Sequence, residues 1–282
     1  MKVGLVLEGG AMRGLYTAAI LDSFMENNIK VDTLIGVSAG ALFGVNYKSK
    51  QKGRVLRYNK KYANDKDYMG FHSLIKTGNI MNKEFCFDKL IKELDPFDNN
   101  TYNNSNEEFY AVVTNVETGK AEYKKLDDIE SEENLEYLRA SGSMPFVSKF
   151  VEVNGNKYLD GALGDSIPID KMMELGVDKI IVILTRPLNY RKKKGNSLIA
   201  KVFYKKYPNL VSAINNRYKM YNETLDKIKK LESEEKIFVY RPSRFVNIKR
   251  VEKDTNKLQE MYDLGLEDFK SNMEKLNQFL EK

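Results

Sequence analysis

Residues 36–40, with the sequence GVSAG, constrain the fold of this chain more than any other segment. The residues before them, 31–35 (VDTLI), are mostly apolar and partly β-branched, which is typical of a buried strand. The small apolar residues at 39–45 suit a helix packed on a sheet. A G-x-S-x-G segment between strand and helix makes a sharp turn, whose glycines are needed because backbone approaches backbone there. The flanking signals favour this interpretation over a plain tight turn, and place Ser38 at the positive end of a helix.

A nucleophilic serine needs a base, and the usual base is histidine. His72 is the single histidine of the 282 residues. It lies in residues 68–73 (YMGFHS), and nothing around it indicates a precisely held imidazole. We therefore interpret His72 as a surface or half-buried loop residue. A carboxylate that acts directly on Ser38 becomes the alternative to test.

Asp160 is the carboxylate that stands out for this role. Residues 151–153 and 157–159 bracket the sequence NGN, which predicts a β-hairpin with a tight turn. The second strand leads straight into residues 160–162 (DGA). Because the glycine lets the chain turn away, the aspartate can project into a cleft. Taken alone, Asp160 would equally well open an ordinary turn.

The N-terminus supplies a third element. Residues 2–8 (KVGLVLE) predict a buried strand, and residues 9–14 (GGAMRG) predict the opening of a helix. Such a turn presents free backbone N–H groups at a positive helix end, which suits an anion. That anion is either a bound phosphate or the oxyanion of acyl transfer. The spacing is not G-x-G-x-x-G and no Gly-Lys-Ser/Thr follows, which disfavours dinucleotide and P-loop sites.

In this order, the three elements resemble the patatin-like phospholipase family, and its bacterial branch most closely. The resemblance covers roughly residues 1–185. It rests on residues 7–14 (LEGGAMRG), 36–40 (GVSAG), 139–145 (RASGSMP) and 160–162 (DGA). The family uses a Ser–Asp dyad without histidine, in keeping with the single histidine here. The resemblance implies an α/β fold of three layers, α/β/α, with a mainly parallel central sheet.

The resemblance also implies roles for individual residues. Ser38 would be the nucleophile and Asp160 the base that accepts its proton, while Arg13 occupies the family's basic position and is a candidate contact to substrate or anion. The backbone amides that it assigns to an oxyanion hole are those of Gly9, Gly10 and Ala11. The family usually has a third glycine where Ala11 stands. A positive φ is costly for alanine, so we expect the hole to be reshaped or its activity reduced.

The implied activity is hydrolysis of carboxylic esters of lipids, of the phospholipase A, lysophospholipase or esterase type, through an acyl-enzyme. An aspartate with an ordinary pKa of about 3.9 is a poor base for a hydroxyl, and burial would raise that pKa. The alternative is a non-catalytic acyl-lipid-binding or regulatory module on the same fold. The departure at Ala11 and the less family-like C-terminal third motivate this alternative. The presence of both Ser38 and Asp160 argues against it.

Composition limits the other function classes. With 42% hydrophobic residues, the chain is long enough for one large α/β domain, alone or with an appendage. Cys86 is the single cysteine, so no internal disulfide forms, and we expect no metal and no cofactor. No apolar run approaches the ~18 residues of a membrane span. The chain opens on a strand rather than a charged-then-apolar leader, so we expect a cytoplasmic protein.

The formal net charge of +6 bears on the partners of the chain. We expect no nucleic acid, because no recognised nucleic-acid-binding module is present. A basic surface also suits anionic lipid headgroups, at about 1 kcal/mol per charge. Peripheral contact with an anionic membrane is therefore kept as a hypothesis beside the acyl-ester substrate. Nothing in the sequence indicates an oligomeric state.

The character of the chain changes after residue 185. We expect residues 1–185 to form the catalytic domain, and residues 186–282 a helix-rich region packed on it or appended to it. A basic loop (RKKK, 191–194) opens this region, and a long helix from about Asp254 ends it. One face of that helix carries Leu258, Tyr262, Leu266, Phe269, Met273, Leu276 and Leu280. We favour packing of this face on the main domain, and dimerisation or a lid over the acyl pocket stays open.

Three further predictions concern the middle of the catalytic region. Residues 47–66 are basic and predict a helix. Residues 84–94 predict a second helix that ends at an Asp-Pro pair. The asparagine-rich residues up to 106 predict a loop.

Overall fold

The apolar runs of the sequence assemble into one sheet covered by helices. The computed structural model describes residues 1–282, the side chain of Ser197 excepted. Its strands are β1 (Val3–Leu7), β2 (Thr33–Val37), β3 (Glu108–Asn115), β4 (Ala121–Lys125), β5 (Val151–Val153), β6 (Asn156–Asp160), β7 (Lys179–Ile183) and β8 (Ile237–Tyr240). Its helices are α1 (Leu15–Glu26), α2 (Ala39–Lys48), α3 (Arg54–Tyr62), α4 (Phe71–Thr77), α5 (Asn99–Asn104), α6 (Glu132–Ser141), α7 (Ile169–Glu174), α8 (Ser197–Phe203), α9 (Pro208–Ser233) and α10 (Thr255–Glu281). A π-helix spans Phe85–Leu94, and 3₁₀ turns span Ala11–Gly14 and Gly161–Leu163.

The sheet is mixed but mostly parallel. Its strand order is β5-β6-β3-β2-β1-β7-β8, with β4 paired to β3. The five strands β3, β2, β1, β7 and β8 run parallel to one another, and β4, β5 and β6 add antiparallel pairings at the β3 end. In the central register Leu5 lies between Leu34 and Ile181. Strands as apolar as these require cover on both faces.

Successive side chains of β1 pack alternately against the two helical layers. Leu5 and Leu7 belong to a core cluster with residues of α1, α2, α3 and α10. Val6 faces the opposite side, in a second cluster with residues of α7 and α9. The three-layer α/β/α architecture with a mainly parallel central sheet is therefore confirmed.

The C-terminal region contributes to both the sheet and one helical layer. β8 continues the sheet beside β7, and α10 packs along α1. A Cβ on Gly265 would lie 2.7 Å from the carbonyl oxygen of Tyr16, so the two helices approach closely there. Leu258 and Leu276 are fully buried. The division into a catalytic domain, residues 1–185, and a helix-rich C-terminal region, residues 186–282, stays a prediction.

The predicted apolar face of α10 was wrong at one position. Leu266 lies in solvent, whereas Met261, Leu264 and Gly265 are buried. The buried side of α10 is broader than the predicted face, because the helix contacts α1, α3 and β8. No helix in the described part of the chain combines the length and apolarity that crossing a bilayer requires.

Several helix boundaries also differ from the predictions. Residues 47–66 are not one helix, because α2 ends at Lys48 and α3 begins only at Arg54, after Gly53 in the left-handed region (φ 73°). Residues 85–94 form a π-helix rather than an α-helix. The predicted loop up to 106 contains α5, capped by the side chain of Asp98, which accepts from Thr101 N. The N-terminal turn begins as a 3₁₀ helix.

Candidate active site

Ser38 occupies a strained turn between β2 and α2. Its backbone has φ 54° and ψ −122°, outside the usual range for a residue with a side chain. The turn is tight enough that a Cβ on Gly36 would lie 2.6 Å from Ala41 N, and one on Gly40 would lie 2.4 Å from Leu7 O. Both glycines are therefore required sterically, as the sequence pattern indicated. Strain of this kind is typical of functional positions.

The structure brings Asp160 to Ser38 across 122 residues of sequence. Ser38 Oγ donates a hydrogen bond to Asp160 Oδ2 at 2.8 Å. The other carboxylate oxygen, Oδ1, accepts from Ala162 N at 2.9 Å, which fixes the orientation of the carboxylate. The hairpin of β5 and β6 delivers Asp160 from the end of β6, and Asp160 N donates to Ser143 O at 2.8 Å.

Burial raises the pKa of the Asp160 carboxyl above its ordinary value. The nearby cation of Arg217 and the hydrogen bonds from Ala162 N and Ser38 Oγ act in the opposite direction. The carboxyl is thus a stronger base than a solvated aspartate. It is the kind of group that can accept a proton from a hydroxyl.

The glycine-rich turn after β1 lies directly against Ser38. A Cβ on Gly9 would be 2.9 Å from Ser38 Cβ, and Gly9, Gly10 and Ala11 all line the cavity beside Ser38. Their amide groups donate to no acceptor among the described residues. Ala11 has φ 49°, so the alanine adopts the left-handed conformation despite its methyl group.

Two ionisable residues, Arg13 and Glu8, lie near this turn. Arg13 lines the same cavity, and its buried Nε has no hydrogen-bond partner among the described residues. Burial and the neighbouring Arg186 lower the pKa of Arg13 to about 10, so it is a cation at neutral pH. Glu8 is held by Tyr221, whose hydroxyl donates to Oε1 at 2.6 Å, and by Thr185 N, which donates to Oε2 at 2.6 Å.

Two cavities of opposite character meet at Ser38. The apolar cavity, of about 130 Å³, extends under α2 towards the π-helix. Residues that line it include Phe43, Leu90, Ile91, Phe97, Leu138 and Met144. The basic cavity, of about 510 Å³, opens on the other side. The cationic residues lining it include Arg13, Arg186, Lys192, Arg217 and Arg250.

Sequence reasoning missed most of the residues around these cavities. It noted the 191–194 loop as basic, but not Arg217 or Arg250. No local signal distinguishes those two from the many solvated cations of the C-terminal region. His72 lies in α4 with its side chain exposed and Nε2 3.9 Å from Asp67; it lines neither cavity.

The chain is thus an α/β protein with a mainly parallel sheet. Its Ser38 lies on a sharp strand-to-helix turn, contacts a buried aspartate and borders two cavities. Comparison with known sequences then assigns the chain to a family. The family profile described as patatin-like phospholipase matches residues 5–173. The chain belongs to the patatin-like phospholipase family. A second profile, a domain of unknown function (DUF6363), matches residues 207–281.

Individual relatives are distant. The chain is 27% identical over 192 residues to the uncharacterized protein YjjU of Escherichia coli, an alignment that covers 66% of this chain and 52% of YjjU. It is also 27% identical over 184 residues to the lysophospholipase nte1 of Aspergillus niger, which covers 64% of this chain and 12% of that protein. The chain therefore spans about half, or much less, of the curated relatives it matches.

Among solved structures, VipD from Legionella pneumophila is similar at a TM-score of 0.44 and 12% sequence identity. The superposition covers 96% of this chain and 67% of the VipD chain.

Proposed function

We propose that the protein is a serine acyl hydrolase that cleaves carboxylic esters of lipids, with Ser38 as nucleophile and Asp160 as base. The observation that carries the proposal is the 2.8 Å hydrogen bond from Ser38 Oγ to Asp160, at the junction of an apolar and a basic cavity. The family and the lysophospholipase relatives support a lipid ester as the substrate class. An acyl chain fits the apolar cavity, and the alcohol part of the ester fits the polar one.

In the first step Ser38 Oγ attacks the ester carbonyl while Asp160 accepts the hydroxyl proton. The C–O bond to the alcohol then breaks, and the protonated Asp160 returns the proton to the leaving alkoxide. The products of this step are the free alcohol and an ester between Ser38 and the acyl chain. The raised pKa of Asp160 makes the carboxyl suitable for both transfers.

In the second step water attacks the acyl-enzyme. Asp160 accepts a proton from that water, the bond between the acyl carbon and Ser38 Oγ breaks, and the proton passes to Ser38. The acyl chain leaves as a carboxylic acid. Both tetrahedral intermediates carry an oxyanion, which the free amides of Gly9, Gly10 and Ala11 would stabilise, at about 3–4 kcal/mol for a well-placed donor.

The test is fluorophosphonate labelling of the wild type, Ser38→Ala and Asp160→Asn, together with hydrolysis of p-nitrophenyl esters of several chain lengths. Labelling and turnover are expected in the wild type alone. A matched control is Ser212→Ala, on an exposed position of α9, which should behave as the wild type. Turnover that survives Ser38→Ala would overturn the proposal. A folded wild type that neither labels nor turns over would favour the acyl-lipid-binding module instead.

We also propose that residues 1–185 hold the chemistry and that residues 186–282 complete the cavity around it. Arg217 and Tyr221 on α9 line the basic cavity together with Ser38. The Tyr221–Glu8 hydrogen bond ties α9 to the end of β1. Separate expression of the two regions should therefore leave residues 1–185 without a stable site.

Contact with an anionic membrane forms the last part of the proposal, and α8 supports it. Val202 is 73% exposed and Phe203 is 63% exposed, and the neighbouring Leu198 and Ile199 are also in solvent. Exposed lysines flank them at positions 193, 194, 201, 205 and 206. An apolar helix face with a lysine rim suits the interface of an anionic bilayer.

The position of α8 relates this face to the site. The ring of Phe203 lies 5.5 Å from that of Phe146, which lines the basic cavity. Cosedimentation with vesicles of phosphatidylglycerol or phosphatidylcholine tests the contact: binding is expected for the former, and Val202→Glu should weaken it at least fivefold. Met173→Glu, at an exposed position of α7, is the control. Equal binding by both variants would rule out α8 as the contact.

A further inference from the structure

Seven cations line the basic cavity. Arg191 and Lys193 are the chain neighbours of Lys192, and the other five lie at different places around the cavity. These five come from the 3₁₀ turn after β1, two positions in the loop after β7, α9 and the loop before α10. In that order they are Arg13, Arg186, Lys192, Arg217 and Arg250. Four of the five lie beyond residue 185, so the C-terminal region supplies most of this charge.

None of these five cations forms an ion pair among the described residues. Comparable residues nearby do form one. Arg191, which also lines the cavity, pairs with Asp226, and Arg244, which lies outside it, pairs with Glu260 at 2.9 Å. All five arginines outside the cavity pair with a carboxylate. The four arginines without an ion pair among the described residues all line the cavity.

The two carboxylates that line the cavity are already engaged. Glu8 accepts hydrogen bonds from Tyr221 and from both the backbone and the hydroxyl of Thr185. Asp160 accepts from Ser38 and Ala162. The cations thus retain hydrogen-bonding capacity that no side chain of the cavity uses.

Contacts with α9 and with Tyr190 position two of these residues, Lys192 and Arg186. Lys192 N donates to Asn222 Oδ1 at 2.9 Å, and Asn222 Nδ2 donates to Lys192 O at 3.0 Å, which fastens the loop to α9. The Arg186 guanidinium stacks on Tyr190, 4.4 Å from the ring centre. Burial, followed by the repulsion of Arg217, lowers the pKa of Lys192 to about 7. Such crowding of like charges is relieved when an anion binds.

We infer that the basic cavity is a binding site for a phosphomonoester, so that the preferred substrate is an acylated glycerol phosphate rather than a zwitterionic choline lipid. A phosphomonoester carries nearly two negative charges at neutral pH and three acceptor oxygens, and arginine is well suited to bind it. A phosphocholine carries one negative charge and a bulky cation that five cations would repel. The inference rests on the proposed function for the cleavage step.

The arrangement of the two cavities indicates which part of the substrate the basic cavity binds. Both contain Ser38, so an ester carbonyl at Ser38 has its acyl chain on the apolar side and its alcohol on the basic side. The phosphate would then belong to the leaving alcohol. The DUF6363 match includes Arg217 and Arg250, and the inference gives this region of unknown function a role in recognising the headgroup.

Hydrolysis of three substrates with the same acyl chain tests the inference: lysophosphatidate, lysophosphatidylcholine and the neutral monoacylglycerol. We expect kcat/KM for lysophosphatidate to exceed that for lysophosphatidylcholine at least tenfold. The ratio of kcat/KM for lysophosphatidate to that for monoacylglycerol should fall at least tenfold in Lys192→Gln and in Arg250→Gln. It should be unchanged in Arg244→Gln, which removes a cation outside the cavity. Equal rates on all three lipids would overturn the inference and leave the proposed hydrolase intact.

A binding experiment separates this inference from the proposed function. Calorimetric titration of Ser38→Ala with sn-glycerol 3-phosphate should show binding that Lys192→Gln weakens, and glycerophosphocholine should not bind. If the wild type hydrolyses no ester, the proposed function fails, and this titration alone decides whether the phosphate site exists. Inhibition by inorganic phosphate without any preference for lysophosphatidate would indicate a site for the free ion, and would overturn the lipid assignment.

Discussion

The hydroxyl of Tyr221 donates to Glu8 Oε1 at 2.6 Å, joining α9 of the C-terminal region to the end of β1. A hydrogen bond to a buried carboxylate stabilises a protein by about 1.5–3 kcal/mol. We therefore expect Tyr221→Phe to lower the free energy of unfolding by about that amount, measured by urea denaturation. Tyr218→Phe is the control, because Tyr218 lies on the same helix. A loss in Tyr221→Phe no larger than that in Tyr218→Phe would show that the hydrogen bond to Glu8 adds no net stability.

Asp160→Asn should stabilise the protein while it removes activity. Because burial raises the pKa of Asp160 in the folded state, the carboxylate form carries a penalty that the unfolded chain does not. Below the ordinary pKa both states are protonated and the penalty is absent. It grows as the pH rises from the ordinary pKa to the folded-state pKa, and reaches about 1.4 kcal/mol for each pH unit that separates the two values.

Thermal unfolding tests directly whether Asp160→Asn stabilises the protein. At pH 8 Asp160→Asn should melt above the wild type, by about 2–4 °C for each kcal/mol. The difference should shrink towards pH 4. A variant that melts below the wild type at pH 8 would mean that the charged hydrogen bonds outweigh the cost of burial.

The segments that carry Ser38 and Asp160 were predictable from local sequence. The basic cavity was not, because distant segments form it. The Ser38 turn and the hairpin that ends at Asp160 are each encoded within about ten residues, so glycines and strand patterns reveal them. The basic cavity is different, because its cations are separated by up to 237 positions, from Arg13 to Arg250. Only the fold brings them to one place, and in sequence they look like ordinary solvated charges.

The π-helix illustrates a second limit of sequence reasoning. The apolar pattern of residues 84–94 predicts an ordinary helix, because π-helices are rare and the α-helix is the expected form. The wider turn matters for the site, because Cys86, Phe87, Leu90 and Ile91 of this segment line the apolar cavity. The left-handed Ala11 could not be predicted either, because its conformation is imposed by packing around it.

Ala11 offers a direct test of stored strain. Its φ of 49° costs an alanine about 1–2 kcal/mol, whereas glycine there would cost about 0.5–1 kcal/mol in chain entropy. Ala11→Gly should therefore raise the free energy of unfolding slightly, by about 0.5–1 kcal/mol in urea denaturation. Ala11→Val is the contrasting variant, since a β-branched residue tolerates this region poorly. It should lose stability, and its turnover of a p-nitrophenyl ester should fall at least tenfold. A loss in Ala11→Gly would contradict the assignment of strain.

The apolar cavity predicts a change in chain-length preference. Ile91 is half-buried on the π-helix and lines the cavity, so Ile91→Trp would fill space that a long acyl chain needs. We expect kcat/KM for a p-nitrophenyl palmitate to fall at least tenfold relative to the butyrate. Ile75→Trp, at an exposed position of α4, should leave that ratio as in the wild type. An unchanged ratio in Ile91→Trp would place the acyl chain elsewhere.

Lys192 should make the use of a phosphomonoester substrate depend on pH. Burial and Arg217 lower its pKa to about 7 in the free protein, and Glu8 acts in the opposite direction. The other cations that lower this pKa are Arg250 and Arg13. Above pH 7 the free protein therefore loses one of the five charges that bind the phosphate. Between pH 7 and 9, kcat/KM for lysophosphatidate should fall, whereas kcat/KM for monoacylglycerol should lack this decline.

The variant Lys192→Arg tests whether deprotonation of Lys192, and not of another group, causes the fall in kcat/KM for lysophosphatidate. Arginine remains charged throughout the range, so the decline for lysophosphatidate should disappear in the variant. Binding of sn-glycerol 3-phosphate to Ser38→Ala at pH 8 should also take up protons, because the bound phosphate raises the pKa of Lys192, and calorimetry in buffers of different ionisation enthalpy measures that uptake. A decline that persists in Lys192→Arg, or that appears equally with monoacylglycerol, would assign the pH dependence to a group outside the basic cavity.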